Sequence, residues 1–497
     1  MQIRRLLASE RGDYALLALG FVLSRLVLLA LGLRFNLDLS WMFLSDPADL
    51  RRDLLRTVFY FHAFPPGFDL ITGVLLRLPD SLVPGAAHLL LSAFSACLCL
   101  SVLALGKYLG LGRKTRLCLA FAFCLAPPTL FFENLYLYTI PSTALLCLSS
   151  VLWYRGLRKQ TARAWFWCFL TGAILGWIRS TFHLVWLVLI VLLTLPLLPK
   201  ASRKNLLVGA VGPVLLLASL YIKNYVVFGV FGATSWGGAN IVAITTTQMP
   251  RALKHQWVLQ GKLSPFSEIS VFAPPKNYLG LLPDLPTFPW PTTNELERPS
   301  VGAGNFNHGL YLEVNKRRKA DAATFMSERP ADYLRNVLTK SLPQFFEPTT
   351  HWHPKDKEAS SPHSQHRRVL GGFENAYNWL LHQSIPLVAP FGLYCALPLV
   401  LVWVFWRVAK HLIVHFRARD SAPSQRLEPG LLLAGYLAFQ IVFVAAPSVL
   451  FTLGECARYR YMVEAMIWLL TAWLVEAGLK LREGASGRVA RNHEPAV

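Results

Sequence analysis

Asp46, Asp53, His62 and Asp69 fall within one polar, proline-punctuated stretch, SDPADLRRDLLRTVFYFHAFPPGFD over residues 45–69, which follows an apolar run. Carboxylates and an imidazole held at the rim of a bilayer suit proton transfer to or from a bound substrate. The same residues also serve without chemistry. Asp46 can cap a helix, Pro47 sits where a first-turn proline is tolerated, and Asp49 lies near the free amides of the first turn. Leu50, Leu54, Val58 and Phe61 share one face, with Arg51, Arg52 and Arg56 turned largely away, which predicts a short helix lying on a membrane surface. Phe64-Pro65-Pro66-Gly67 then forces an extended turn, because a residue before proline is pushed out of the α region. His62 and Asp69 bracket that turn.

Further along, Glu133, Arg179, His183, Lys223, Arg458 and Arg460 each stand within a few residues of the end of an apolar segment. Snorkelling and headgroup contact account for any one of them. Three separate segment ends presenting Arg or Lys to one side are better explained by an anionic ligand such as a lipid phosphate, since guanidinium and ammonium groups bind phosphate well in a low-dielectric setting. Arg25 lies within an apolar run, where an unpaired charge is costly, so it is expected to face the protein interior against a structural partner. His351-Trp352-His353 with His363 and His366 matches no common metal spacing and reads as a solvated loop. No GxxxxGK[ST] or GxGxxG occurs, so nucleotide-driven pumping and a dinucleotide site lack support. The eight cysteines form no CxxC pair, which argues against a disulfide framework or a zinc knuckle.

The elements that must position these residues are membrane spans. The 497 residues are 54% hydrophobic and 15% charged, with a mean hydropathy of +0.40, and several apolar runs approach the ~20 residues a helix needs to cross a bilayer. The chain therefore reads as an all-α polytopic membrane protein. Its formal charge of +21 is a matter of loop topology rather than of nucleic acid. Crossings are expected at about residues 14–33, 83–109, 117–132, 139–154, 165–178, 184–198, 206–222, 385–406, 429–451 and 461–478. Arg4, Arg5 and Arg11 set the N-terminus inside, and each basic cluster over the first seven spans then falls inside as well. The expected organisation is a core over residues 1–227 with a catalytic outer loop at 34–82, an extracytoplasmic loop domain at 228–384, and C-terminal helices with a cytoplasmic tail at 385–497.

Taken together, the acidic first loop, His62-x-x-Pro65-Pro66, Glu133-Asn134, Arg179-Ser180-Thr181, Lys223-Asn224-Tyr225 and Glu455-x-x-Arg458-Tyr459-Arg460 resemble the GT-C superfamily of glycosyltransferases. The nearest flavour is that of protein O-mannosyltransferases and the lipid A aminoarabinose transferase. The resemblance implies a GT-C-like bundle of about 10 transmembrane helices with outer-face interfacial helices and a large outer loop. It also implies transfer of a sugar, with inversion, from a polyprenyl-phosphate donor to a hydroxyl of a lipid, glycan or protein acceptor. The location it implies is a bacterial inner membrane, or the endoplasmic reticulum membrane, with the site facing periplasm or lumen. Carried over residue by residue, Asp46 or Asp53 would be the base, and His62 would assist. Glu133, Arg179, His183, Lys223, Arg458 and Arg460 would hold the lipid phosphate and sugar. No cofactor is certain, and a divalent metal ion is left open. Two other classes stay in view: a transporter or flippase of a lipid-linked sugar, and a glycan polymerase or ligase.

Overall fold

The computed structural model describes residues 9–282, 287–352, 362–389, 391–418 and 428–491. Among them the regular structure is almost wholly helical, the exception being a small ribbon that pairs Glu297–Arg298 with Ala303–Gly304. In a bilayer a helix satisfies every backbone group within its own segment, so long apolar stretches have little alternative.

In chain order, α1 (Glu10–Ala30) leads into the short helices α2 (Pro47–Arg52), α3 (Leu54–Phe59) and α4 (Gly67–Leu75). Then come α5 (Val83–Tyr108), α6 (Arg113–Leu125), α7 (Pro127–Glu133), α8 (Thr139–Lys159), α9 (Ala162–Ile178), α10 (Leu184–Thr194) and α11 (Lys200–Phe228). A mixed region follows with α12 (Gly237–Ile244), α13 (Arg251–Leu259), α14 (Leu310–Glu328), α15 (Pro330–Asn336), α16 (Leu342–Phe346) and α17 (Pro362–Asn378). The chain closes with α18 (Leu397–Ala418), α19 (Pro429–Phe451) and α20 (Cys456–Arg491).

Every apolar stretch singled out in the sequence overlaps at least one of these helices, although in the stretch at 385–406 the α-helix begins only at Leu397. Six segments are both long and apolar enough to cross a membrane: α1, α5, α11, a stretch Gly392–His415 that includes most of α18, α19, and the Cys456–Lys480 part of α20. The protein is therefore a multi-pass integral membrane protein. α6 and α7 together make a further candidate, bent by 49°. The bend falls before Pro127-Pro128, which cannot donate to the preceding turn. α9 and α10 are apolar but shorter.

A continuous apolar core runs from Leu17 in α1 through α5, α8, α9 and α11 to Val404 in α18, Ile441 in α19 and Met466 in α20, so early and late helices pack as one body. Small residues allow the closest approaches. A side chain at Gly209 of α11 would come within 2.6 Å of the Ala162 carbonyl oxygen on α9. Outward-facing positions stay apolar, as at Leu19, Val22 and Leu26 of α1, each more than half exposed. Arg25 is paired within the bundle, its Nη2 2.6 Å from Glu133 Oε2 at the end of α7.

The mixed region has its own core, with Trp236, Tyr311 and Val314 buried against Phe61 and Ala63 of the first interhelical segment. The two segments are folded onto each other.

Candidate functional site

The part of the stretch expected to form one helix folds as two, α2 and α3, and α4 starts at Gly67 after the proline turn. Asp46 caps α2, its Oδ1 accepting from the Ala48 amide at 2.7 Å, and Asp53 caps α3, its Oδ1 accepting from the Arg56 amide at 3.1 Å. Asp53 is in extended conformation, which breaks the helical run there. Ser300 covers the Asp46 carboxylate, donating from its amide to Oδ2 (3.0 Å) and from its hydroxyl to Oδ1 (2.6 Å). Arg298, buried two residues earlier, donates from Nη1 to the carbonyls of Trp41 and Leu44, both at 2.9 Å, and from Nη2 to that of Ser40. Asn307 completes the clamp through Oδ1, which accepts from the amides of His62 (2.8 Å) and Ala63 (3.0 Å).

The Pro65-Pro66-Gly67 turn seats directly on the end of α9. A Cβ at Gly67 would stand 2.6 Å from the Trp177 carbonyl oxygen, so only glycine permits this contact. Two residues beyond Trp177 comes Arg179. The turn, the C-terminal end of α9 and the junction between α19 and α20 thereby surround a cavity of about 130 Å³.

One wall of this cavity is cationic. Arg179 is buried, and its guanidinium lies over the rings of Tyr138 (4.7 Å) and Tyr459 (4.4 Å). Its Nη2 stands 3.6 Å from Glu455 Oε2 and makes no hydrogen bond. Arg458, equally buried, reaches the same Glu455 oxygen at 2.5 Å and donates to the Tyr138 hydroxyl at 3.2 Å. Among the described residues Glu455 is the carboxylate that lines the cavity. Burial disfavours its charged form, but Arg458 and Arg179 outweigh that and hold it below the usual carboxylate range. The opposite walls are aromatic, with Trp41, Phe43 and Phe68 on one side and Phe64 stacked on Trp236 at 5.7 Å on another. Thr234, Ser180 and the exposed Asn240 add polar groups. Such a site can hold an anion against its cations and a ring with hydroxyls against its aromatic faces.

Of the residues expected from sequence, Arg179 and Arg458 meet at this cavity. Asp46 and Asp53 are helix caps, and neither lines it. His62 sits behind the proline turn, its Nδ1 2.9 Å from Ser235 Oγ. Burial, with Lys223 nearby, pushes its pKa down to about 3, so its imidazole is neutral at physiological pH. Lys223 donates to the Phe61 carbonyl at 2.7 Å and so holds the same turn from α11. Glu133 is engaged by Arg25 and by Ser92 at 3.2 Å. His183 caps α10, its Nδ1 accepting from the Trp186 amide at 3.3 Å. Arg460 belongs to a separate buried cluster, donating to Thr349 Oγ1 at 2.8 Å and lying 3.8 Å from Glu464.

Asp69 is the buried carboxylate closest in sequence to the cavity wall. It accepts from the Ser45 amide (3.0 Å) and hydroxyl (2.9 Å), and burial outweighs these bonds to push its pKa up to about 7. Asp49 is likewise raised, to about 6, by burial, offset in part by Arg52.

Among the described residues no group of three or more His, Cys, Asp or Glu is gathered closely enough to hold a metal ion. Of the histidine cluster, His353 lies outside the described residues, as do the side chains of His351 and His363. His366 is buried 3.5 Å from Glu374. Tyr138, Tyr459, Trp236, Arg298 and Asn307 were not singled out as site residues by sequence. The spacing Glu455-x-x-Arg458, one helical turn at the start of α20, is the signal that points to Glu455. Comparison with models of known protein families, with characterised proteins and with solved structures gives no match.

Proposed function

We propose that this chain is an integral membrane glycosyltransferase that moves a sugar from a polyprenyl-phosphate donor to an acceptor hydroxyl with inversion. The observation that carries the proposal is the meeting of Arg179 and Arg458 at one aromatic-walled cavity, where the shorter apolar helix α9 ends and the membrane-length helices α19 and α20 join, with one Arg179 nitrogen making no hydrogen bond. A lipid phosphate leaving group needs fixed cations at the bond that breaks, and no nucleotide. In the same proposal all ten apolar segments cross the bilayer, and the positive-inside bias turns the cavity toward the periplasm or lumen.

In this mechanism Glu455 balances the two guanidiniums while the site is empty. The donor phosphate takes over that role and releases Glu455, whose proton affinity rises once the arginines are neutralised by another anion. The acceptor oxygen then attacks the anomeric carbon from the face opposite the phosphate and gives its proton to Glu455. The bond from the anomeric carbon to the phosphate oxygen breaks, and its electron pair leaves with the lipid phosphate, held by Arg179 and Arg458. Tyr138 and Tyr459 keep both guanidiniums in place by contact with their rings. Asp46, Asp53, His62 and Lys223 act at a distance, fixing the first loop and its proline turn.

The test is Arg458→Gln, which keeps a hydrogen-bonding side chain and removes the charge. Turnover with a prenyl-phosphate-linked sugar is expected to fall roughly 10²–10³-fold, the usual cost of deleting one transition-state charge partner. Unchanged turnover in both Arg458→Gln and Arg179→Gln would remove the proposal's basis.

A further inference from the structure

We infer that a second groove, behind the segment Thr234-Ser235-Trp236, binds the headgroup of an anionic lipid that carries both a phosphate and free hydroxyls. Thr234 and Trp236 face the arginine cavity, whereas Ser235 faces this groove, which has a volume of about 840 Å³. Its existence does not depend on the transfer reaction proposed above.

Asn315 on α14 is the first indication. It is only 2% exposed, it lines the groove, and neither its Nδ2 nor its Oδ1 has a hydrogen-bond partner. Burying an amide with both functions unmet is costly, and water or a ligand must supply an acceptor and a donor together. The residue is also fixed in place. A Cβ at Gly238 would stand 2.0 Å from the Asn315 carbonyl oxygen, so α12 and α14 touch at this point and the amide cannot drift away. A phosphate oxygen can accept from Nδ2 while a neighbouring hydroxyl of the same headgroup donates to Oδ1.

The charge around Asn315 fits that ligand. Lys316, Arg317 and Lys319 line the groove against one carboxylate, Glu313, which pairs with Arg317 at 2.7 Å and stands 3.9 Å from Lys316. Three cations facing one anion leave the groove positive, and Lys316 and Lys319 are exposed.

The opposite wall decides between a lipid and a free phosphate ion. It is formed by Phe228, Phe231 and Phe288, at the end of α11, a helix long enough to span a bilayer. Phe231 is 68% exposed and nearby Val226 75%. A free ion leaves these apolar groups facing water, whereas a lipid seats its headgroup on α14 and its glycerol and first methylenes on the aromatic wall.

The experiment uses the full chain purified in a neutral detergent, with bound lipid counted by native mass spectrometry. The probes are short-chain phosphatidylglycerol, phosphatidylcholine with the same chains, and inorganic phosphate. Phosphatidylglycerol is expected to bind at least tenfold more tightly than phosphatidylcholine. Joint Lys316→Ala and Lys319→Ala substitution should weaken it by roughly 10–30-fold, from about one favourable contact per lysine at an anionic headgroup. Asn315→Leu should weaken it at least tenfold as well, and melting curves show whether that variant folds. If it does not, the surface lysine pair decides alone. Equal binding of the two lipids, or an unchanged affinity in the lysine variant, overturns the inference. Displacement of phosphatidylglycerol by inorganic phosphate at comparable concentration would make this a free-phosphate site and overturn the lipid assignment.

Discussion

Replacing Glu455 by Gln separates two effects that the geometry assigns to a single side chain. The carboxylate stands 2.5 Å from Arg458 Nη2 and 3.6 Å from Arg179 Nη2. As the proton acceptor it is worth roughly 10²–10⁴ in turnover. As the resident partner of two guanidiniums it competes with the incoming phosphate. Its side chain is 38% exposed, so solvent screening reduces that competition to about 1–2 kcal/mol in total. Glu455→Gln should therefore bind a prenyl phosphate about 5–30-fold more tightly while turning over at least a hundredfold more slowly. Donor affinity is measured by calorimetry in detergent, and turnover by release of labelled sugar to the acceptor. Asp46→Asn is the control. Asn caps a helix about as well as Asp, and with its oxygen kept toward Ala48 and the Ser300 hydroxyl only the bond from the Ser300 amide is lost, so turnover should change less than about threefold. Normal turnover by Glu455→Gln, with donor affinity unchanged, would refute the assignment. An inactive Asp46→Asn beside an active Glu455→Gln would transfer the base to Asp46.

Three further outcomes test the scaffold. Asp69 has its pKa raised from 3.8 to about 7, so the folded state favours the protonated form. That contribution is complete below about pH 4 and is lost as pH rises through 7, a change of at most about 4 kcal/mol. The melting temperature of the wild type in detergent should fall across that window. Asp69→Asn should match it at pH 4 and exceed it at pH 8, and parallel curves would show that Asp69 does not titrate there. Glu133→Gln strands the Arg25 guanidinium inside the bundle and should cost about 3–5 kcal/mol, whereas Arg25→Met combined with Glu133→Leu should recover most of it. A single substitution as mild as the double one would show that the pair is not coupled. Arg298→Ala removes three bonds to carbonyls of residues 40–44 and should expose that segment to limited proteolysis, with a fall in turnover. Unaltered cleavage would mean that the segment is held by other contacts.

The helices were legible because apolar runs of crossing length permit little else, and the interior position of Arg25 followed from the cost of an unpaired charge in hydrocarbon. Arg179 and Arg458 could be associated because each ends or begins an apolar helix on one side of the predicted topology. The roles of Asp46 and Asp53 could not be separated from capping by sequence. A cap and a base require the same residue types, and Ser300, which covers Asp46, lies 254 positions away. Distance in sequence also hid Arg298 and Asn307, whose partners are backbone groups of the first loop and leave no side-chain pattern. Glu133 and Lys223 looked like ligand contacts because each is a charge at a helix end. Their partners, Arg25 and the Phe61 carbonyl, come into view only once the bundle closes. The break at Asp53 was missed because the apolar spacing continues across it, while the backbone turns extended to let the carboxylate cap α3.

The most direct measurement is single-turnover chemistry with the purified full chain in detergent, given a sugar on a prenyl monophosphate and an excess of a hydroxyl acceptor, with no nucleotide and no sealed membrane. The sugar is expected to appear on the acceptor with inverted anomeric configuration, and free prenyl phosphate in equal amount. Intact donor at the end of that reaction, alongside movement of the same lipid-linked sugar across sealed vesicles containing the protein, would contradict it and make the arginine cavity a transport site.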